Sequence, residues 1–134
     1  MHRLRSRPQF QAVMALAPVA KTSHFALHRV GLPDDEVGRA LFPAQAPWLG
    51  VLLPKRWARR AVTRNAIRRQ VYETARPLGA GMPVGAHVVR LRSEFSRKQF
   101  PSATSEALKR AVRAELEQLW SRAGVRAAEP SRVA

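Results

Sequence analysis

The feature that most constrains the fold of this chain is a long segment without proline that lies between two short apolar runs. The segment extends from Arg56 to Leu78, is free of proline until Pro77, and is rich in Arg and Ala, which favour helix. The run before it, Trp48 to Leu53, is bounded by prolines and suits a strand buried on both faces. The run after it, Ala86 to Arg92, is also typical of a strand. The pattern predicts a strand, a main helix and a second strand.

Shorter elements lie on either side of this unit. Pro8 to Leu16 has the apolar spacing of a short helix, and Phe100 to Arg122 has that of a longer last helix. Ser23 to Val30 alternates and is predicted to be a strand. The proline-rich stretch from Leu32 to Pro47 is predicted to be a loop, with room for a short strand around Val37 to Phe42.

Alternation assigns the side chains of two strands to faces, because successive side chains point to opposite sides. On the first strand, Phe25 and Leu27 share one face. His24, Ala26 and His28 share the other. On the last strand, one face carries Val88, Arg90 and Arg92, and the other carries His87, Val89 and Leu91.

The order helix, strand, strand, helix, strand, helix predicts an α+β sandwich in which helices pack on a small sheet. A chain of 134 residues is long enough for one domain with one modest core. We expect this domain to span residues 1–123 and residues 124–134 to form a disordered tail.

The charge balance indicates a polyanionic partner. The chain has 24 Lys and Arg against 9 Asp and Glu, a net charge of +15. No acidic residue occurs from Met1 to Pro33, and none from Val37 to Tyr72. A surplus of this size, concentrated in one half of the chain, is typical of a protein that binds nucleic acid.

The main helix concentrates the positive charge on one side. At about 100° per residue, Ile67, Val71, Thr74 and Leu78 share the face that can dock on the sheet. The opposite face carries Asn65, Arg68, Arg69, Tyr72 and Arg76, with Arg64 at its edge. Arginine suits phosphate because its planar guanidinium donates two parallel hydrogen bonds.

The same segment offers little negative charge to balance its cations. Only Glu73 is available there, so a merely solvated charged face is a poor explanation. The residues that we predict to bind nucleic acid are Lys55, Arg56, Arg59, Arg60, Arg64, Asn65, Arg68 and Arg69.

Several classes of protein are disfavoured. There is no cysteine, which excludes disulfides and thiolate metal sites. No apolar run approaches the roughly 20 residues needed to span a bilayer. The basic N-terminus is followed by no long apolar region and no convincing cleavage site, so we expect a cytoplasmic protein. A membrane-surface helix is disfavoured because the stripe opposite the cations is narrow and lacks bulky aromatic anchors.

Two other functions stay open as alternatives. A protein-catalysed ribonuclease would need an acid and a base at one phosphate, but His24 and His28 are predicted to lie roughly 13 Å apart at about 3.3 Å per residue. No carboxylate cluster suggests a two-metal site. A structural RNA-binding protein, such as a ribosomal protein, or a DNA-binding regulator would explain the charge without requiring the pattern of the main helix.

That pattern resembles the signature of the ribonuclease P protein family. The run LLPKRWARRAVTRNAIRRQVYETAR, Leu52 to Arg76, is similar to a strand, a basic turn and a helix with a motif close to R-N-R-I-K-R. Arg64, Asn65, Ile67 and Arg69 match this motif. Arg68 replaces its Lys, and Glu73 fits a later acidic or amide position. Lys55 and Arg56 match the basic pair before the helix.

The resemblance extends over most of the chain. RLRSRPQFQAVM is similar to the family's first helix and its basic start, FALHRV to its first strand, VVRLRSEF to its last strand, and ALKRAVRAELEQLW to its last helix. There are departures. Ala66 replaces the second Arg of the triplet, Met14 replaces an aromatic of the first helix, and His28 replaces an aromatic of the first strand.

The resemblance implies a fold similar to domain 2 of ribosomal protein S5, with about four strands, three helices and a left-handed crossover through the main helix. It implies that the chain is a subunit of an endoribonuclease whose RNA subunit carries the chemistry and, with the substrate, holds Mg²⁺. The expected partners are ribonuclease P RNA and precursor tRNA, with no membrane and no obligate protein partner evident. A cleft for the 5′ leader of precursor tRNA is implied at Phe10, Phe25, His28 and Arg92. The cations of the main helix would then bind the catalytic RNA.

Overall fold

The structure is a computed structural model that describes residues 1–96, 98–101 and 105–126. Within these residues the strands are β1 (His2–Arg3), β2 (Ala20–Lys21), β3 (Phe25–Val30), β4 (Pro47–Leu52) and β5 (Gly85–Leu91). The α-helices are α1 (Arg7–Met14), α2 (Glu36–Leu41), α3 (Ala61–Ala75) and α4 (Glu106–Arg122). A 3-10 helix, Arg76–Gly81, follows α3 directly.

The strands form one mixed sheet in the order β1-β4-β5-β3-β2. The neighbours β4 and β5 are parallel and are connected through α3, so that helix lies in a crossover. β3 pairs antiparallel with β5 and β2, and β1 pairs parallel with β4. The left hand that the family resemblance implies for the crossover stays a prediction.

Helices cover both faces of the sheet. On one face, α3 and α4 pack over the larger core, which includes Leu49, Val89 and Trp120. On the other face, α1 packs over a smaller core that includes Val13 and Val88. The predicted α+β fold is confirmed. The strand at residues 48–53 is buried on both faces, as predicted, except at Leu52, which is exposed.

The number of elements differs from the prediction. Five strands are present in the described residues where about four were expected, because β1 and β2 are only two residues long. Two residues cannot show an alternating pattern, so nothing in the local sequence marks them as strands. They form because neighbouring strands offer them hydrogen-bonding partners.

A fourth helix, α2, occupies the segment that we predicted to be a loop with room for a short strand. Asp35 begins it, since its side chain accepts a hydrogen bond from the backbone N–H of Gly38 at 2.6 Å. Glu36 adds negative charge to the first turn, where it is favourable. Phe42 follows the helix and is buried in the smaller core. Capping and tertiary burial therefore outweigh the prolines around this segment.

The main helix is shorter than predicted. Residues 54–60 form a turn in which the carbonyl of Pro54 accepts hydrogen bonds from the N–H groups of Trp57 and Ala58. α3 consequently begins at residue 61 and ends at residue 75. The last helix begins at residue 106 instead of residue 100, because Ser105 caps it through the N–H of Leu108.

The packed part of the chain extends past residue 123, where we predicted the domain to end. Val125 is buried in the larger core, and its N–H donates to the carbonyl of Trp120. The remainder of the predicted tail, residues 127–134, lies outside the described residues. No helix within the described ranges is long and apolar enough to cross a membrane.

Candidate nucleic-acid interface

The outer face of α3 carries an exposed row of polar and cationic side chains. Ile67 and Val71 are buried against the sheet, which turns Asn65, Arg68 and Arg69 toward solvent. Arg76, just after the helix, is also exposed. The face assignment made from the helical periodicity is therefore correct for these residues. It is wrong for Tyr72, which was assigned to the outer face but is half-buried and packs against the larger core.

Little within the protein neutralises this row. The Arg68 guanidinium donates one hydrogen bond of 3.3 Å to the side-chain oxygen of Asn65. Among the described residues, no carboxylate makes a salt bridge to Arg68, Arg69 or Arg76, and Glu73 pairs with none of them. The guanidinium groups therefore remain available to an anion from outside the chain.

Arg64 has a different environment from its neighbours. It is half-buried, and one terminal nitrogen donates to the carbonyls of Ala58 and Arg59, both at 2.9 Å. These bonds fix the turn that precedes α3. Arg64 thus stabilises the local fold as well as contributing charge, which the sequence did not reveal.

That turn presents four more cations beside the start of α3. Lys55, Arg56, Arg59 and Arg60 are all exposed, and the Arg56 guanidinium lies 5.1 Å from the centre of the Trp57 ring. The first turn of α3 contains no acidic residue, and no side chain caps it. Since the N-terminus of a helix attracts anions, the positive field of the turn and that of the helix end add together.

The structure adds Arg3 to this surface, a residue that sequence reasoning missed. β1 places its guanidinium 4.0 Å from the ring centre of Tyr72 on α3. The Leu49 carbonyl accepts from the backbone N–H of Leu4 at 3.0 Å and from the Tyr72 hydroxyl at 3.3 Å. Burial raises the pKa of Tyr72. The N-terminal strand and α3 are therefore joined. Their cations line one groove, together with Glu73.

The opposite face of the sheet forms a second surface, beside α1. The Phe10 ring packs directly on Gly50, where an added Cβ would lie 2.7 Å from its Cε1 atom. Phe10 is only partly buried, so it contributes to the surface of this face. Leu52, further along β4, is 37% exposed.

His28 and Arg90 lie on this second face. His28 is only 4% exposed, and its Nδ1 is 3.0 Å from the carbonyl of Leu16, just after α1. The Arg90 Nε donates to His28 Nε2 at 3.2 Å. Burial lowers the pKa of His28, and the positive charge of Arg90 acts in the same direction. Strand parity placed Arg90 on this side, but sequence reasoning did not select it as a site residue.

Two residues predicted for the leader cleft, Phe25 and Arg92, have contacts that the sequence did not indicate. Phe25 is 0% exposed within the larger core, on the α3 and α4 side, so its assignment to a binding cleft is wrong. Arg92 is exposed, but its guanidinium donates to the carbonyls of Thr22 at 2.7 Å and Ser23 at 3.4 Å. Part of its hydrogen-bonding capacity is therefore used within the fold.

His24 does not share a face with His28, contrary to the prediction. It precedes β3, and its Nδ1 lies 2.7 Å from a carboxylate oxygen of Glu115 on α4. The same carboxylate accepts from the Thr22 hydroxyl and the His24 N–H. His24 also stacks on Phe95, with 3.9 Å between ring centres. These contacts connect the sheet to α4.

Metal binding by the protein itself finds no support in the donor atoms. In the described part of the chain, no three His, Asp or Glu residues lie close enough together to hold an ion. The residues present therefore do not fit a divalent cation, and no step of the chemistry is assigned to one held by this chain.

These features define a basic α+β protein with two candidate surfaces for binding nucleic acid. One is the cationic face of α3, and the other is the sheet face beside α1. The family model for ribonuclease P matches residues 1–124. The chain therefore belongs to the ribonuclease P protein family, whose members are subunits of the enzyme that processes the 5′ end of precursor tRNA.

Individual relatives agree with this assignment. The ribonuclease P protein component of Ralstonia pickettii (strain 12J) is 39% identical over 121 residues, which cover 88% of this chain and 76% of the relative. That of Paraburkholderia xenovorans (strain LB400) is 33% identical over 121 residues, which cover 90% of this chain and 79% of the relative.

Solved structures show the same fold at low identity. The RNase P protein of Staphylococcus aureus superimposes with a TM-score of 0.65 at 17% identity, covering 93% of this chain and 97% of that one. The RNase P protein of Thermotoga maritima gives 0.58 at 18% identity, covering 88% and 97%.

Proposed function

We propose that the outer face of α3, the turn before it and Arg3 together form the surface that binds ribonuclease P RNA. The observation that carries this proposal is the row of guanidinium groups on α3, to which no carboxylate among the described residues makes a salt bridge. Like charges held this closely repel one another, and a folded polyanion relieves the repulsion. Asn65 adds a neutral donor and acceptor within reach of a base edge or a sugar hydroxyl.

The sheet face beside α1 is the proposed site for the 5′ leader of precursor tRNA. Phe10 offers a partly exposed aromatic ring for an unpaired base, and Arg90 offers a cation for the backbone. Stacking and charge give affinity with little sequence preference, which suits an enzyme whose substrates carry different leaders. Phe25 is excluded from this role by its burial.

We assign the chemistry to the RNA subunit. Mg²⁺ is then held by that RNA and the substrate, and this chain contributes binding and orientation. We also infer a cytoplasmic location, where the proposed RNA partners would be met.

Reconstitution tests this proposal. The protein is mixed with a candidate ribonuclease P RNA at low magnesium, and leader removal is measured with each component alone and with both together. We expect cleavage to be stimulated only when both are present. Cleavage by the protein alone would contradict the proposal.

The salt dependence of RNA binding tests the electrostatic part. If six to eight phosphates are neutralised, the slope of log affinity against log salt is expected to be about −4 to −6. Replacing Arg68 and Arg69 with Gln should make the slope shallower by roughly 1.4 to 1.8. A matched control is Arg110→Gln with Arg113→Gln on α4, which removes equal charge from another surface. Equal effects of the two double variants would show that no specific surface is used.

A further inference from the structure

His28 and Arg90 form an isolated polar pair on the sheet face beside α1. Arg90 is paired in register with Ala26 on β3 and with Leu52 on β4, so one neighbour is small and the other is apolar. The only hydrogen-bond acceptor of its guanidinium among the described residues is the His28 ring. No carboxylate of the described chain makes a salt bridge to it.

The contacts of His28 determine which tautomer it adopts. A backbone carbonyl can only accept, so Nδ1, which faces the Leu16 oxygen, carries the hydrogen. The Arg90 Nε can only donate, so Nε2 must be the unprotonated acceptor. Both ring nitrogens are therefore satisfied by the neutral imidazole and by no other form.

This arrangement restricts the Arg90 guanidinium. Its Nε is held by His28, so the two terminal nitrogens form the part of the group that is left for a ligand. A side chain that is already ordered loses less conformational freedom on binding than a mobile one. Two parallel N–H groups held in a plane match the oxygens of a phosphate.

The neighbours of Arg90 indicate single-stranded nucleic acid as the ligand. Leu52, beside it on β4, is 37% exposed and offers an apolar surface for a base or sugar. Phe10, over Gly50 on the same strand, extends this apolar surface toward α1. A phosphodiester with unpaired bases combines the charge and the apolar faces that such a strip of sheet can bind.

We propose that Arg90 binds a phosphate of the precursor tRNA leader and that neutral His28 is the positioning residue that orients it. This inference rests on the proposed function, since it requires the leader to lie on this face. The charged groups that face His28 are Arg90 on β5 and Lys21 on β2, and both disfavour a second positive charge on its ring.

The experiment uses the reconstituted complex with two substrates, one with a leader of several nucleotides and one with a leader of a single nucleotide. Arg90→Gln should weaken binding of the long-leader substrate by about tenfold or more, the usual worth of a hydrogen bond between charged groups. It should leave the short-leader substrate unchanged. The salt slope for the long leader should become shallower by about 0.7, because one phosphate on a single strand is no longer neutralised.

The positioning role of His28 is tested by the affinity of further variants for the long-leader substrate. Arg90→Lys keeps the charge but cannot donate to His28 and present two parallel N–H groups, so most of the affinity should still be lost. His28→Leu, which removes the acceptor, should lose part of the affinity, and His28→Gln, which can accept from Nε, should retain more of it. Adding His28→Leu to Arg90→Gln should cost nothing further, since His28 acts only through Arg90.

Several outcomes would overturn the inference. Equal losses for both substrates, full affinity in Arg90→Lys, or additive losses in the double variant would each exclude the proposed roles. Arg110→Gln is the charge-matched control and should not distinguish the two leaders. If His28→Leu does not fold, Arg90→Lys and Arg90→Gln still decide the question. Failure of the wild-type protein to stimulate cleavage would instead refute the proposed function itself.

Discussion

Arg64 and Arg69 both lie on α3, but the structure predicts different effects when each is replaced by Ala. The Arg64 side chain donates to two carbonyls of the preceding turn, whereas the Arg69 side chain is exposed and makes no hydrogen bond with the described residues. A net contribution of about 1 kcal/mol for each bond, reduced because water can reach one of the carbonyls, gives about 1–2 kcal/mol for Arg64→Ala. Arg69→Ala should stay within about 0.5 kcal/mol of the wild type.

Thermal unfolding followed by circular dichroism can resolve this difference. For a domain of this size, 1 kcal/mol corresponds to a change of about 4 °C in Tm, so Arg64→Ala should melt about 4–8 °C lower. Arg69→Ala should melt within about 2 °C of the wild type. Both variants should weaken RNA binding when it is measured well below either Tm, because each removes a cation from the same surface.

The comparison has a clear contrary result. Equal melting temperatures for the two variants would mean that the turn before α3 does not depend on Arg64. Arg64→Lys is a useful third variant, since it keeps the charge but its ammonium nitrogen ends one bond short of the guanidinium nitrogen that makes both hydrogen bonds. It should recover RNA binding more fully than stability.

Three further predictions concern the interior. Gly50→Ala should destabilise the fold by about 1–3 kcal/mol in urea unfolding, because the new Cβ meets the Phe10 ring at 2.7 Å; an unchanged midpoint would contradict the close packing. Thr74→Val should cost about 1–3 kcal/mol, since it leaves the buried indole N–H of Trp120 without its 3.2 Å acceptor, and an unaltered unfolding curve would contradict this. Burial lowers the pKa of His87 below 6.5, so the unfolded chain binds a proton that the folded chain does not, and Tm should fall as the pH decreases from about 7 to about 5. His87→Gln should reduce that dependence, and an identical pH profile would count against the assignment.

The parts of the fold that follow from periodicity were predictable from the sequence. The buried and exposed faces of α3 follow from the 3.6-residue repeat, and the faces of β5 follow from alternation. The side chains of His87 and Arg90 lie on opposite faces of β5, as the alternation indicated. These patterns are long enough for a local sequence to specify them.

The remaining features depend on contacts between distant segments. β1 forms only because β4 provides a partner, so the position of Arg3 beside Tyr72 cannot be read from its neighbours in the chain. The His28–Arg90 pair joins residues 62 positions apart. α2 is an intermediate case, because Asp35 before Glu36 is a helix-start signal that the surrounding prolines concealed.

The two-residue length of β1 and β2 has a consequence for the protein before it meets RNA. These short strands occupy the outer positions of the sheet, so each offers only two residues of backbone to which a strand from another molecule could add. Arg3 on β1 and Lys21 on β2 place positive charge at both edges of the sheet, so two copies brought edge to edge would repel each other. Short, charged edge strands of this kind disfavour edge-to-edge pairing between free subunits.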